Sequence, residues 1–141
     1  MKTTVLIVDD SQVVRDLLTN IISRLPNLEV VGRASVAAEG IEALRCLKPA
    51  IVVLDISMPG GSGFEVLKAA KRESPAPLVM MLTNLADEEY REKSRQLGAD
   101  YFFDKSTEFQ KAKEVLKQLA AGQTATQGEN TATAQTPEQK A

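Results

Sequence analysis

Five residues with reactive side chains stand where apolar stretches of this sequence end. Asp9 and Asp10 follow the first stretch, and Asp55, Thr83 and Lys105 follow later ones. Two carboxylates about 4 Å apart repel by ~1 kcal/mol in water and by about 4 kcal/mol at an effective dielectric constant of ~20, so three stay ionised together only when a cation joins them. Carboxylate oxygens without histidine or cysteine partners favour Mg²⁺, which commonly also binds phosphate oxygens. The pattern therefore predicts a Mg²⁺ site with room for a phosphoryl group.

The composition excludes several other kinds of chemistry. The 141 residues include no histidine and one cysteine, which removes histidine-based catalysis, internal disulfides and sites of imidazole or thiolate ligands. The formal net charge of −2 argues against a general binder of nucleic acid or of acidic membranes. No stretch approaches the ~18 apolar residues of a membrane helix. The N-terminus also lacks the features of a secretory signal, so a cytoplasmic location is expected.

A change of composition divides the chain into two parts. Residues 121–141 contain no Val, Ile, Leu, Met or aromatic residue. Such a segment cannot bury enough apolar surface to offset the entropy lost on ordering. We therefore expect one folded domain over residues 1–120 and a disordered polar tail over 121–141.

Apolar runs alternate with amphipathic stretches inside the expected domain. Five runs predict strands, namely Thr4–Val8, Leu28–Gly32, Ile51–Leu54, Leu78–Leu82 and Tyr101–Phe103. The stretches that follow them have helical spacing, and the fourth, Glu88–Leu97, is mostly polar and is expected to be lightly packed. Five such units predict an α/β fold with a doubly wound parallel sheet and helices on both faces. The second strand ends in nothing reactive, which is consistent with an edge position and the order 2-1-3-4-5, with the ligand crevice at the carboxyl ends of the strands.

Three local expectations concern the helices. Ser11 or Asp10 is expected to cap the first helix, and Ser106 or Thr107 the last. Cys46 on the second helix is expected to be a small packing residue.

Four motifs together give the sequence a resemblance to a known family. They are LIVDDS (6–11), IVVLDISMPGGSG (51–63), VMMLTN (79–84) and GADYFFDKS (98–106). With them the sequence resembles the receiver domain of two-component response regulators over about residues 3–120. The resemblance implies a flavodoxin-like (βα)5 fold. It also implies a phosphoacceptor signalling protein, not an enzyme, whose only chemistry is its own phosphorylation and slow dephosphorylation.

The resemblance also implies roles for the acidic residues. Asp55 is similar to the phosphoacceptor, which takes a phosphoryl group from a sensor histidine kinase or a phosphotransfer protein. Asp9 and Asp10 are similar to the acidic pair of the Mg²⁺ site. Asp55 and the backbone carbonyl of Ser57 would complete the set of metal ligands.

Three further residues match the positions of the family's switch. Thr83 is similar to the hydroxyl that hydrogen-bonds the phosphoryl group, and Lys105 to the lysine that pairs with it. Phe102 stands where the family has a Tyr or Phe that moves inward on activation. As a phenylalanine it would make no polar contact there.

Two other features follow from comparing the motifs. The Met58-Pro59 pair and Gly63 match the loop after the acceptor, where Gly63 is expected to supply a backbone angle that other residues do not reach. The family usually has proline after the lysine, with a cis bond, whereas this chain has Ser106. A cis bond before a residue other than proline costs about 2.5–4 kcal/mol, so a trans bond and a different direction for Lys105 are expected.

The expected function is that of a single-domain response regulator whose output runs through a protein partner. Residues 121–141 leave no room for a DNA-binding or catalytic domain. A phosphorelay intermediate is the alternative with the same chemistry, and a constitutive docking module is disfavoured because all five reactive positions are filled. A Mg²⁺-dependent phosphatase of the haloacid dehalogenase type is a remote alternative. That class needs Asp-x-Asp after the first strand, and Ser11 stands at the second of these positions.

Overall fold

A computed structural model of the protein describes residues 2–122. The described chain forms seven strands and five helices: β1 (Thr3–Val8), α1 (Gln12–Ser23), β2 (Leu28–Ala34), α2 (Ala37–Leu47), β3 (Ile51–Leu54), β4 (Ser57–Met58), β5 (Gly61–Ser62), α3 (Gly63–Lys71), β6 (Leu78–Thr83), α4 (Glu88–Gln96), β7 (Tyr101–Asp104) and α5 (Phe109–Ala120). Apart from its first two residues, the tail predicted over 121–141 lies outside the described residues. None of the described helices is both long and apolar enough to cross a membrane.

The five long strands form one parallel sheet in the order β2-β1-β3-β6-β7. This confirms the predicted doubly wound fold and the order 2-1-3-4-5, because β4 and β5 form a separate two-stranded hairpin. All five predicted strands exist, and four of them are one or two residues longer than expected. The extra residue at the end of β6 is Thr83, and the one at the end of β7 is Asp104. Thr83 is therefore the last residue of its strand, and Asp9, Asp55 and Lys105 directly follow theirs.

Alternate side chains of the strands enter two apolar layers, one on each face of the sheet. Val5 and Ile7 point into the layer that α1 and α5 cover, and Leu6 and Val8 into the layer that α2 and α3 cover. All four residues of β3 are buried, as expected for a central parallel strand. Helix α4 buries only Ser94, which confirms the light packing predicted from its polar sequence.

The helix ends follow local rules in some places and not in others. Ser11 caps α1, because its Oγ accepts a hydrogen bond from the Val14 amide at 3.3 Å. The prediction for the last helix was wrong, since α5 begins at Phe109, two residues after Thr107, and has no side-chain cap. Cys46 is exposed and is not a packing residue, because it lies on the solvent face of α2.

The chain passes very close to itself between β3 and α3. The Gly63 amide donates to the Ile56 carbonyl at 2.7 Å. A Cβ atom on Gly63 would stand 1.9 Å from the Asp55 carbonyl oxygen. Gly63 is not among the residues with positive φ, so the expected special backbone angle was wrong. This position needs glycine because the backbone after Asp55 occupies the space of a side chain.

We expect Gly63→Ala to lower the free energy of unfolding by at least about 2 kcal/mol, because the added methyl group has to displace main chain. Urea unfolding of the two proteins measures the difference. Gly60→Asn is the matched control: Gly60 has φ +74° with no atom near its Cβ position, and asparagine tolerates that conformation. Equal losses in the two variants would show that the close approach to Asp55 is not what selects glycine.

Candidate functional site

The predicted site residues lie together at the carboxyl edge of the sheet. Main-chain hydrogen bonds connect the residue just after one strand to the last residue of the neighbouring strand. The Asp9 amide donates to the Ala34 carbonyl at 3.0 Å, the Asp55 amide to the Val8 carbonyl at 3.0 Å, and the Lys105 amide to the Thr83 carbonyl at 2.9 Å. Because these bonds continue the register of the sheet, residues far apart in sequence are held at fixed separations.

A single ammonium group joins two of the acids. Lys105 Nζ lies 2.9 Å from Asp9 Oδ2 and 3.0 Å from Asp55 Oδ2. The side chains of Lys105, Asp9 and Asp55 are 11%, 4% and 7% exposed. At this burial the attraction is screened much less than in a surface ion pair. The contact therefore fixes all three side chains.

The charges at this edge do not balance. Burial raises the pKa of Asp9 above its ordinary value, and the hydrogen bonds from Lys105 and the Ser11 amide offset only part of this effect. Burial also opposes the charge of Lys105, but its hydrogen bond to Asp9 and the charges of both acids raise its pKa. The lysine is thus firmly cationic, while Asp9 carries an uncompensated cost of ionisation. One positive charge is not enough for this group of carboxylates.

Asp9, Asp10 and Asp55 form a group suited to a metal ion. Each offers a carboxylate oxygen, and these oxygens lie within 4.8 Å of one another. Asp10 is exposed, so the group opens to solvent. Asp55 Oδ1 is buried and has no hydrogen-bond partner among the described residues, as expected for an atom that bonds a further ligand. Oxygen donors of this kind fit Mg²⁺.

Ser57 lies two residues after Asp55, in the first strand of the β4–β5 hairpin. Its side chain is exposed, and it pairs with Ser62 across the hairpin. The role of its backbone carbonyl as a metal ligand stays a prediction.

The turn that carries the two adjacent aspartates is held from several sides. The Ser11 amide donates to Asp9 Oδ1 at 2.9 Å. Arg15 Nη1 donates to the Asp9 carbonyl at 2.6 Å. The sequence reasoning missed Arg15, although its position four residues after Ser11 places both on one side of the first helical turn.

Thr83 reaches the same edge but is bonded within its own loop. The residue is fully buried, and its Oγ1 accepts a hydrogen bond from the Leu85 amide at 3.2 Å. Since this bond uses the oxygen as an acceptor, the hydroxyl hydrogen is free to serve another acceptor. The switch role of Thr83 stays a prediction.

Phe102 is already buried in this structure, with 7% of its surface exposed. The guanidinium carbon of Arg91 lies 4.8 Å from the centre of its ring. The ring packs in the apolar layer under Arg91, and its movement on activation stays a prediction. Arg91 also pairs with Glu108 at 2.9 Å, and neither residue was singled out from the sequence.

The loop after β7 follows the expectation for its peptide bond. The only cis bond among residues 2–122 is Ser74–Pro75, so the Lys105–Ser106 bond is trans. Lys105 nevertheless reaches both Asp9 and Asp55. The Asp104 carboxylate shapes the loop by accepting hydrogen bonds from the Ser106 amide and hydroxyl at 2.9 and 2.7 Å.

Comparisons with known proteins agree with the fold. The family model described as "Response regulator receiver domain" matches residues 5–117. The chain is 39% identical over 106 residues to protein-glutamate methylesterase/protein-glutamine glutaminase 1 of Dechloromonas aromatica, covering 74% of this chain and 30% of that protein. It is 30% identical over 119 residues to response regulator GacA of Pseudomonas aeruginosa, covering 84% of this chain and 56% of that one. The chain therefore spans less than two thirds of these relatives.

Solved structures show the same fold. The response regulator domain of Thermotoga maritima CheB has a TM-score of 0.75 and 31% identity, covering 86% of this chain and 96% of that one. The CheX-CheY-BeF3-Mg+2 complex from Borrelia burgdorferi contains a chain with a TM-score of 0.68 and 26% identity, covering 79% of this chain and 87% of that one.

We expect Lys105→Met to destabilise the protein by about 3 kcal/mol at neutral pH, because it leaves buried carboxylates without their counter-charge. Urea unfolding checks the value. Adding Mg²⁺ should stabilise the variant more than the unsubstituted protein, since the variant has the larger excess of negative charge. Lys117→Met, which removes a lysine from an exposed pair with Glu114, should change little. Equal effects of the two substitutions would contradict the argument.

Glu108 generates a prediction about pH. Burial opposes its ionisation, but the hydrogen bonds from Arg91 and the Asp104 amide, with the charges of Arg91 and Lys111, hold its pKa below the ordinary value of 4.5. A carboxylate with a lower pKa in the folded state contributes stability above its unfolded pKa and loses it as the pH falls through the folded pKa. We therefore expect Glu108→Gln to reduce the free energy of unfolding at neutral pH.

The deficit of Glu108→Gln should shrink as the pH falls below 4.5. Urea unfolding at a series of pH values measures it. Glu114→Gln, in an exposed pair, serves as the control. A deficit that is the same at every pH would show that the ionised carboxylate is not the stabilising form.

Proposed function

Because this chain belongs to the family of response regulator receiver domains, we propose that Asp55 accepts a phosphoryl group and that this changes the binding of a protein partner. The observation that carries the proposal is the contact of Lys105 Nζ with both Asp9 and Asp55 at the carboxyl edge of the sheet. It joins a nucleophile, a neighbouring acid and a permanent cation in one buried group. The donor would be the phosphohistidine of a sensor kinase or a phosphotransfer protein.

The reaction forms one bond and breaks another. A carboxylate oxygen of Asp55 attacks phosphorus, the phosphorus–nitrogen bond of the donor breaks, and the leaving imidazole takes up a proton. Lys105 holds Asp55 through Oδ2, and Oδ1 has no hydrogen-bond partner within residues 2–122, so a lone pair is available for bonding. Fixing the carboxylate in this way contributes orientation, which supplies much of the rate in phosphoryl transfer.

Metal would be held by the carboxylates of Asp9, Asp10 and Asp55 and by the backbone carbonyl of Ser57. Mg²⁺ bound there supplies neutralisation of charge on the phosphoryl oxygens. The chain itself supplies the carboxylate oxygens, with Asp10 exposed to solvent. Lys105 contacts the two buried carboxylates, those of Asp9 and Asp55. Lys105 would add its own positive charge to that of the metal at this edge of the sheet.

Thr83 and Lys105 would bind the phosphoryl group of phosphorylated Asp55. A phosphoryl group on Asp55 offers oxygen acceptors to the Thr83 hydroxyl and to the Lys105 ammonium, and such charge-assisted hydrogen bonds are stronger than neutral ones. The segments after β6 and β7 would then adjust to the phosphoryl group. Phe102, which is buried beneath Arg91, would change its packing when these segments move.

The proposed activity is phosphoryl acceptance followed by a change in partner binding. We place the chain among phosphoacceptor signalling proteins, with partner binding as its output, and not among enzymes or direct binders of nucleic acid. The net charge of −2 supports the latter point. A role as phosphorelay intermediate uses the same acceptor and differs only in the next acceptor. We expect a cytoplasmic location, where the donor kinase presents its phosphohistidine.

Asp55→Asn provides the test. With phosphoramidate and Mg²⁺, we expect the unsubstituted protein to gain one phosphoryl group by intact mass spectrometry and Asp55→Asn to gain none, because the amide is not a nucleophile. Chelation of Mg²⁺ should prevent labelling. Asp16→Asn, which removes a carboxylate from an exposed pair with Arg33, should be labelled normally. A labelled Asp55→Asn protein would move the acceptor elsewhere, and an unlabelled parent protein would reject the proposed function.

A further inference from the structure

Arg91 on α4 contacts both chain segments that carry the switch residues. Its Nε donates to the Ala86 carbonyl at 3.2 Å, and Ala86 follows Thr83 by three residues. Its Nη2 donates to Glu108 Oε1 at 2.9 Å, and Glu108 follows Lys105 by three residues. The guanidinium group thus bridges the loop after β6 and the loop after β7.

Glu108 connects Arg91 to the main chain next to Lys105. The same Oε1 atom accepts a hydrogen bond from the Asp104 amide at 2.9 Å, and the Glu108 amide donates to the Asp104 carbonyl at 2.7 Å. Lys105 is the next residue, and its own amide is bonded to Thr83. A displacement of Arg91 would therefore reach the Lys105 backbone through one intervening side chain.

The guanidinium group of Arg91 also contacts an aromatic ring. It lies over the Phe102 ring at 4.8 Å, a distance typical of a cation–π contact. The side chains of Arg91 and Glu108 are 33% and 21% exposed, so solvent screens their pair less than a fully exposed one. Only a planar group with several donors can face the ring, the carbonyl and the carboxylate at once.

We propose that Arg91 is a positioning residue, which holds the Thr83 and Lys105 segments at the separation needed for both to contact one phosphoryl group on Asp55. This inference rests on the proposed function. A phosphoryl group is small, and two groups from different loops can bond it together only when the loops keep a fixed spacing. The bond between the Lys105 amide and the Thr83 carbonyl fixes the main chain only where the sheet ends. Arg91 adds a second connection between the two loops three residues further on, at Ala86 and Glu108.

Arg95 provides a matched control on the same helix. It pairs with Glu92, one turn away on α4, and both side chains are exposed. The same substitution at Arg95 removes a guanidinium group and an ion pair without touching the contacts to Ala86, Phe102 and Glu108.

The main test measures binding of beryllofluoride, a phosphoryl analogue, to the full chain at saturating Mg²⁺ by NMR titration. We expect Arg91→Met to bind it about tenfold more weakly, a change of 1.36 kcal/mol in free energy. We expect Arg95→Met to bind it as the unsubstituted protein does. Arg91→Lys should recover little, because an ammonium group cannot make the three contacts together.

A second measurement needs no ligand. The amide resonances of Thr83 and Lys105 should both shift in Arg91→Met and in Glu108→Gln. The double variant should shift them no further than the larger single change, because both substitutions break one connection. A purely local role for Arg91 would move resonances near Ala86 and Glu108 and leave those of Thr83 and Lys105 in place. Glu108→Gln also tests the connection from the other side if Arg91→Met does not fold.

Two results would overturn the inference. One is unchanged beryllofluoride affinity in both Arg91→Met and Glu108→Gln, and the other is an equal loss in Arg95→Met. Failure of the unsubstituted protein to bind beryllofluoride or to be labelled would instead reject the proposed function. In that case the amide shifts of Thr83 and Lys105 still decide whether Arg91 connects the two loops.

Discussion

The site depends on one ammonium group shared between two buried carboxylates. Lys105 contacts Asp9 and Asp55 at nearly equal distances, and all three side chains are almost fully buried. Without the lysine, two like charges would face each other at low dielectric. With it, the group still carries more negative than positive charge, since Asp10 lies in the same cluster. Positive and negative charges at the site are therefore unequal in number, and the site favours a further cation at its solvent-exposed side.

The rest of the fold supplies the rigidity that such a contact requires. Parallel strands with both faces covered leave little freedom at their ends, and main-chain hydrogen bonds carry the sheet register into the loops. The close passage of Gly63 against the Asp55 carbonyl fixes the segment after the central strand. Long charged side chains usually lose much rotamer freedom when they form ion pairs. Here Lys105 reaches its partners from a backbone that the Thr83 carbonyl already holds.

The sequence allowed prediction of what depends on local pattern. The five apolar runs predicted the strands. Their order rested on the second run, which ends in nothing reactive, and in part on the resemblance to receiver domains. The resemblance to receiver domains directed attention to the same residues. Predictions that depend on tertiary surroundings failed or were missing. Gly63 was explained by a backbone angle when the cause is a close approach of distant main chain.

Arg91 and Glu108 illustrate the same limit. On a mostly polar helix Arg91 looks like any solvated residue, and Glu108 looks like an ordinary charge before α5. Only the packing of α4 against β7 and the start of α5 brings them together over Phe102. No periodicity in the sequence records such a contact, because its members belong to three elements with independent patterns.

The existing contacts of Lys105 also limit how strongly phosphorylation can act. Moving a two-state equilibrium from 1% to 99% takes about 5.5 kcal/mol of differential interaction. A hydrogen bond to a charged group is worth roughly 1.5–3 kcal/mol, but Lys105 already makes two such bonds in this structure. A phosphoryl group would replace part of them, so only the difference would drive a switch. The Thr83 Oγ1 atom only accepts a hydrogen bond within the part of the chain that the structure describes, so its hydroxyl hydrogen would offer a bond that is wholly new. The largest share of the switching energy should therefore come from the threonine side of the site, and the lysine should serve mainly to hold the charge in place.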